Sequence, residues 1–223
     1  MEIVYMDKRI LVAVKPNGVL STDEPGGMPE LLRAELGDSH ACIRTVHRLD
    51  AAVGGLMVFA RSVKASSLLS QQIRERHFLK EYLAVVHGMP PAEGNLRDLL
   101  GRDKMRRVTY VAQEPGRDVR PAELSYKVLE QREKYSLIQI HLQTGRTHQI
   151  RVQFSSRGWP LAGDRKYGTG GENFPIALWS WHLRFTHPET GRTMDFSHLP
   201  PKGSVPWSEF CMPADTAQES RNN

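Results

Sequence analysis

The stretch "LWSWHLRFTHPETGRTMDFSH", residues 178 to 198, limits what this chain can fold into more than any other. Trp179, Trp181, Leu183 and Phe185 alternate with Ser180, His182, Arg184 and Thr186. Side chains on a strand point alternately to opposite faces, so this run predicts a strand with one apolar face. "HPETG" supplies turn residues, and Met194 and Phe196 resume the alternation. The reading is an antiparallel hairpin, and four large apolar side chains on one face require a sheet with a core beneath it.

The rest of the chain supplies the other elements. "RILVAVKPNG" predicts a strand ended by a Pro-Asn-Gly turn. "MPELLRAELG" predicts a short helix with Pro29 in its first turn and Gly37 at its end. "GLMVFARS" has the length and apolar content of a strand, and "SVKASSLLSQQIRERHF" predicts a helix capped by Ser62. "KEYLAVVHG" predicts a strand, and "ELSYKVLEQREKYSLIQIHLQ" predicts two strands around a charged turn. Between these lies a stretch of Pro, Gly and Arg from about 89 to 120, expected as a surface excursion. "TGRTHQIRVQFSSRG" predicts a helix, with Thr144 or Thr147 as its cap, Ile150 and Phe154 on one face and Gly158 at its end. The sum is an α+β protein with mostly antiparallel pairing. We expect a single domain over residues 1–212 and a polar, flexible tail over 213–223.

Composition excludes several classes. At 39% hydrophobic and 25% charged residues, the chain suits a globular protein and not a disordered one. No apolar run approaches the roughly 20 residues that span a bilayer, and the N terminus shows no signal-peptide pattern. The two cysteines, Cys42 and Cys211, have no metal spacing, so a reduced, cytoplasmic protein is the simplest expectation. The net charge of +5 permits a polyanionic partner without requiring one, and "RERHFLK" and "GRDKMRR" concentrate cations locally. Gly-x-Ser-x-Gly, the phosphate loop and His-Glu-x-x-His are all absent. His141 and His148 flank a turn without further ligands in view, so no metal is expected.

Three features carry candidate chemistry. Arg48 and Asp50 stand in "TVHRLDAAVGG", before two glycines that allow close approach of backbone or ligand. By itself, Asp50 reads more readily as a turn residue than as a catalytic carboxylate. Arg146, His148 and Arg151 gather near the start of the expected helix, where Arg151 could hold a carboxylate in a fork. Tyr82 sits on an expected strand, either as core or as a face on which a base can stack.

In this order, the three features resemble the RluA-type family of RNA pseudouridine synthases. The matching segments are "HRLDAAVGGLMVFA", "LKEYLAVVHG" and "TGRTHQIRVQFSSRGWPLAGDRKYG", with an opening "VYMDKRILVAVKPNGVLS". The resemblance spans roughly residues 3 to 200. It implies the pseudouridine synthase fold, with a mixed, mainly antiparallel sheet around a catalytic cleft. It implies isomerisation of uridine to pseudouridine in tRNA or rRNA, with no cofactor and no metal.

By the same resemblance, Asp50 is the essential carboxylate, attacking the sugar or removing its 2′ proton. Arg151 pairs with it, Tyr82 packs on the target base, and Arg48 fills the space that a flipped nucleotide leaves. Partners are RNA alone, without DNA or membrane, and a monomer suffices. The accessory RNA-binding domain many relatives carry in front is expected to be absent. The chain departs from the family at Ala52, Val53 and Gly54, where an acidic residue and hydroxyl-bearing residues are usual, and at Gln153, where His is common. A non-catalytic RNA-binding or RNA-chaperone module is the alternative. A glycosidase would need a second motif carboxylate.

Overall fold

The computed structural model describes residues 1–213, so most of the expected tail lies outside the described residues. In chain order the elements are β1 (Ile3–Met6), β2 (Ile10–Lys15), α1 (Met28–Leu36), β3 (Arg44–Thr45), β4 (Gly54–Ala60), α2 (Val63–Arg74) and β5 (Leu79–His87). They continue with β6 (Glu93–Asp103), β7 (Val108–Ala112), β8 (Arg120–Gln131), β9 (Tyr135–Leu142), α3 (Gln149–Ser155), β10 (Leu178–Thr186) and β11 (Thr193–Ser197). A short 3-10 turn follows at Trp207–Glu209. The class is α+β, with mixed, mostly antiparallel pairing. Among the described residues, no helix is long and apolar enough to cross a membrane.

The described residues form two compact units. The first holds Met1–Lys80 and Trp179–Pro200, the second Glu81–Leu178 and Pro201–Met212, so the divisions fall inside β5 and β10. In the first unit the strands run β1-β2-β4-β10-β11, with β3 on β4. β4 and β10 pair in parallel, through Gly54 with Trp179 and Gly55 with Ser180. The neighbours β1–β2, β2–β4 and β10–β11 are antiparallel. Every residue of β2 and β4 is buried, which accounts for their continuous apolar runs in place of alternation. α2 packs on β4 through Ala65 and Leu69, and starts where Ser62 Oγ accepts the Ala65 N–H at 3.1 Å. α1 ends at Gly37, whose left-handed φ of 64° suits a residue without Cβ.

The second unit is antiparallel throughout, in the order β5-β9-β8-β6-β7. α3 packs against β6 and β7, and its residues Gln149–Phe154 are all buried. The ring of Phe154 meets Tyr126 edge-on at 5.2 Å.

Three expectations are corrected. The stretch from 89 to 120 is not a surface excursion but the hairpin β6–β7 and the start of β8. Its strands look polar because charged residues meet polar and charged partners: Arg157 holds Asp98 at 2.9 Å, and Gln153 donates to Asp98 at 2.7 Å. Neither Thr144 nor Thr147 caps α3. The cap is His148, at a left-handed φ of 55° and without a side-chain capping bond. Thr144 Oγ1 donates to Gln149 Oε1 instead, and the Thr147 carbonyl accepts from Thr109 Oγ1. On β10, Ser180 and His182 are buried along with the apolar residues, because both faces are covered there. Ser180 Oγ donates to the Leu56 carbonyl, and His182 pairs with Asp195 at 2.7 Å.

Candidate active site

In the first unit, the loop between β3 and β4 carries Arg48 and Asp50. His47 and Leu49 are buried while Arg48 is exposed and Asp50 half-buried, so the loop is anchored at alternate residues. Each anchor is traceable. His47 Nε2 accepts the Val58 N–H at 3.1 Å, which ties the loop to β4. A ring nitrogen that accepts carries no proton, so the neutral ring holds its hydrogen on Nδ1. Burial, aided by the charge of Lys80, pushes the His47 pKa down to about 3 and keeps it neutral.

The segment after β2 does the remaining bracing. Ser21 Oγ donates to the Leu49 carbonyl at 2.7 Å and accepts the Leu49 N–H at 3.0 Å. Asn17 Nδ2 donates to the Ala52 carbonyl at 2.8 Å, and the Gly18 N–H donates to the Ala51 carbonyl at 2.7 Å. The strongest clamp is Lys15, which has 0% of its surface exposed. Its ammonium donates to the carbonyls of Pro16, Val19 and Ala51 at 2.8, 2.6 and 3.0 Å. Burial lowers its pKa to about 8, partly offset by the Asp50 charge. Asp50 therefore lies within electrostatic reach of a buried cation.

The adjacent glycines serve the backbone. A Cβ on Gly55 would fall within 2.5 Å of Ser180 N and closer still to Ser180 O, and Gly55 has φ of 117°. A Cβ on Gly54 would strike the Trp179 ring and come within 2.5 Å of Asn17 Oδ1. Both therefore permit the parallel pairing of β4 with β10.

In the second unit, Tyr82 is buried near the middle of β5, paired with Ile140 of β9. Arg151 is buried on α3 and grips Asp164 in a fork, Nε to Oδ2 at 2.8 Å and Nη2 to Oδ1 at 2.7 Å. Asp164 Oδ1 also accepts the N–H groups of Lys166 and Tyr167. Burial alone would raise the Asp164 pKa, but Arg151 and these amides together hold it below the ordinary carboxylate value. The guanidinium lies over the Tyr167 ring, 5.1 Å from its centre. The Tyr167 hydroxyl accepts the Thr109 N–H at 2.7 Å and meets His148 Nδ1 at 2.7 Å. Arg151 is thus set by a carboxylate, a ring and α3 itself, a rigid mount for a charge that must act in one place.

Sequence reasoning assigned no role to Asp164, Tyr167 or Lys15. The first two stand in the "GDRKYG" segment, and Lys15 ends an apolar strand just before a proline. A lysine at the end of a fully apolar run was a readable signal. Among the described residues, no group of three or more His, Cys, Asp or Glu side chains converges as metal ligands would.

Comparison with known proteins decides the family. The family model described as RNA pseudouridylate synthase matches residues 9–156, which include Asp50, Tyr82 and Arg151. The chain belongs to the RNA pseudouridylate synthase family. Within this family it is 35% identical, over 215 residues, to the ribosomal large subunit pseudouridine synthase D of Neisseria meningitidis serogroup A. That match covers 88% of this chain and 57% of the relative, so the chain spans little more than half the relative's length. It is 33% identical to the uncharacterized RNA pseudouridine synthase YlyB of Bacillus subtilis, covering 88% of this chain and 68% of that protein. Among solved structures, human RNA pseudouridylate synthase domain containing 1 shares the fold, with a TM-score of 0.76 at 24% identity, over 90% of this chain and 83% of that one.

Proposed function

We propose that this synthase-family chain isomerises specific uridines in RNA to pseudouridine, with Asp50 as the essential carboxylate. The observation that carries the proposal is Asp50 itself. It stands inside the matched segment, half-buried, on a loop whose neighbours are pinned by Lys15, Asn17, Ser21 and His47. A turn residue needs no such mount, whereas a reacting carboxylate does, since small misplacements cost rate steeply.

In the reaction the bond between uracil N1 and sugar C1′ breaks, and its electron pair leaves with the uracil. Asp50 either bonds to C1′ or takes the 2′ proton. The uracil turns and C5 bonds to C1′, as the Asp50–C1′ bond breaks in the first case or as Asp50 returns the proton to C2′ in the second; the C5 proton is lost and N1 gains a proton. By its place in the matched motif, we assign Arg151 to keeping the essential carboxylate charged and aimed. We assign Tyr82 to packing on the base. Arg48 is exposed and takes the place of the flipped nucleotide. The proposal includes a monomer that works in the cytoplasm without metal or cofactor. Large-subunit ribosomal RNA is the first substrate to examine, because relatives named for it are among the most similar.

The test maps pseudouridines in cellular RNA from cells with the gene, without it, and with Asp50→Asn. Loss of the same sites in the last two supports the assignment. Sites that persist in all three refute it, and RNA binding with no site lost would make the chain an RNA-binding module.

A further inference from the structure

Two lysines of the first unit are buried, and they differ in one respect. Lys15 directs its ammonium at three carbonyls. Lys80 is 9% exposed, yet among the described residues it makes no hydrogen bond and no ion pair. Its stem is buried, while its ammonium keeps some contact with water.

The neighbours of Lys80 show what it faces. Phe78, Lys80 and Tyr82 follow one another at spacing two, so on β5 Lys80 and Tyr82 share one face, and both are buried there. The Phe78 ring lies 5.7 Å from that of His47, in the loop that carries Asp50. The positive charge of Lys80 helps keep His47 neutral, so the two are electrostatic neighbours. His47 Nδ1 is buried without a partner. Burial depresses the Lys80 pKa, and an anion arriving beside it restores the charged form.

We propose that Lys80 is a further catalytic residue, whose ammonium, held by no hydrogen bond or ion pair among the described residues, takes up the negative charge of the uracil ring after that ring leaves the sugar. The inference rests on the isomerase reading above. The detached uracil carries the electron pair of the broken bond over N1, O2 and O4. The charge is absent before cleavage, and it is absent again once C5 has bonded, its proton has left and N1 is protonated. A cation that meets this charge binds the intermediate more tightly than substrate or product, which is how a fixed charge accelerates a reaction. A phosphate is the poorer match, since phosphates line the outside of RNA, where exposed cations such as Arg97 and Arg106 meet them.

The test compares wild type, Lys80→Met and Lys80→Arg on total RNA from cells lacking the gene. It reads single-turnover pseudouridine formation, RNA affinity and thermal midpoint. Lys80→Met is expected to lose about 10²–10³-fold in rate. RNA affinity should stay within about twofold, and the midpoint should hold, because Lys80 makes no hydrogen bond or ion pair among the described residues that the variant would lose. Lys80→Arg should recover part of the rate. A Lys80→Met rate within about threefold of wild type, while Asp50→Asn is inactive, overturns the role of Lys80 and leaves the isomerase reading intact. A fall in affinity that matches the fall in rate makes Lys80 a phosphate-binding cation and overturns the proposal. A lowered midpoint, with the arginine variant equally slow, makes it structural and overturns it too. Wild-type protein that forms no pseudouridine on this RNA overturns the isomerase reading as well.

Discussion

Gly55→Ala isolates how closely β4 must approach β10, and its effect follows from two separate costs. The first is conformational: an alanine at φ of 117° costs roughly 1–2 kcal/mol. The second is steric. The new Cβ meets the main-chain N, C and O of Ser180, and main chain held in a sheet cannot swing aside as a side chain can. Forcing extra atoms into such a place costs about 1–3 kcal/mol. The sum is about 2–5 kcal/mol, and at about 2–4 °C per kcal/mol for a chain of this size the thermal midpoint should fall by around 10 °C.

Gly18→Ala is the control. Its φ is 88°, but nothing stands within 4 Å of the added Cβ, so it carries the conformational cost alone. The assay is thermal unfolding of both variants by circular dichroism, with pseudouridine formation measured at a temperature where both stay folded. Gly55→Ala should be the less stable. It should also lose up to about 10²-fold in rate, because β4 begins just after the loop that holds Asp50. A midpoint within about 2 °C of wild type, or one equal to that of Gly18→Ala, would refute the close-approach argument.

Other expectations follow from the second unit. Arg151→Met should reduce turnover more than RNA affinity and should also lower stability by about 3–5 kcal/mol, since it strands the buried Asp164 carboxylate; an equal loss of affinity and rate would count against the assigned pairing with Asp50. Asp164 has a folded pKa below its ordinary value, so its stabilisation is present above that ordinary value and lost as pH falls through the folded one. Urea midpoints of wild type measured from about pH 6 down to about 3 should therefore fall more steeply than those of Asp164→Asn, and parallel curves would sink the idea. Replacing Lys104, Arg106 and Arg107 by Gln at the tip of the β6–β7 hairpin should lower the salt slope of RNA binding by about 2, at about 0.7 for each phosphate no longer neutralised. Filter binding across salt concentrations reads this directly, and an unchanged slope would remove the tip from the RNA interface.

The elements that were legible in the sequence are those whose signal is local. Trp179 to Phe185 announced β10 because apolar and polar residues alternate, and Ser62 and Gly37 marked helix ends by local chemistry that needs no distant partner. The hairpin β6–β7 was missed because its inward polar groups are satisfied from afar. Asp98 is matched by Arg157 and Gln153, which lie more than fifty residues later. The cap of α3 was missed for a similar reason. Thr144 and Thr147 are ordinary capping residues, but the Thr144 hydroxyl donates to Gln149 and that of Thr147 accepts from Arg102, which leaves His148 to turn the chain at positive φ. Among the candidate residues, Asp50, Arg48, Tyr82 and Arg151 were readable as parts of a motif. Asp164 was not, because its role depends on a fork to a residue 13 positions earlier in the chain.

The least family-like part of the loop, Ala51 to Gly54, now has a physical explanation. Hydroxyl-bearing residues are usual here in the family that the loop resembles, and this loop has none. In this chain the bracing is supplied from outside, by Lys15, Asn17, Ser21 and the Gly18 N–H, and it acts almost wholly on main-chain groups of residues 49, 51 and 52. A carbonyl is present whatever the side chain, so Ala51 and Ala52 contribute to the mount of Asp50 without a polar group of their own. Gly54 and Gly55 answer to a different demand, the approach of Trp179 and Ser180. The constraint on the loop therefore lies in residues 15 to 21 and in β10. Substitutions there should disturb Asp50 more than substitutions at Ala51 or Ala52, even though the latter are its nearest neighbours in sequence.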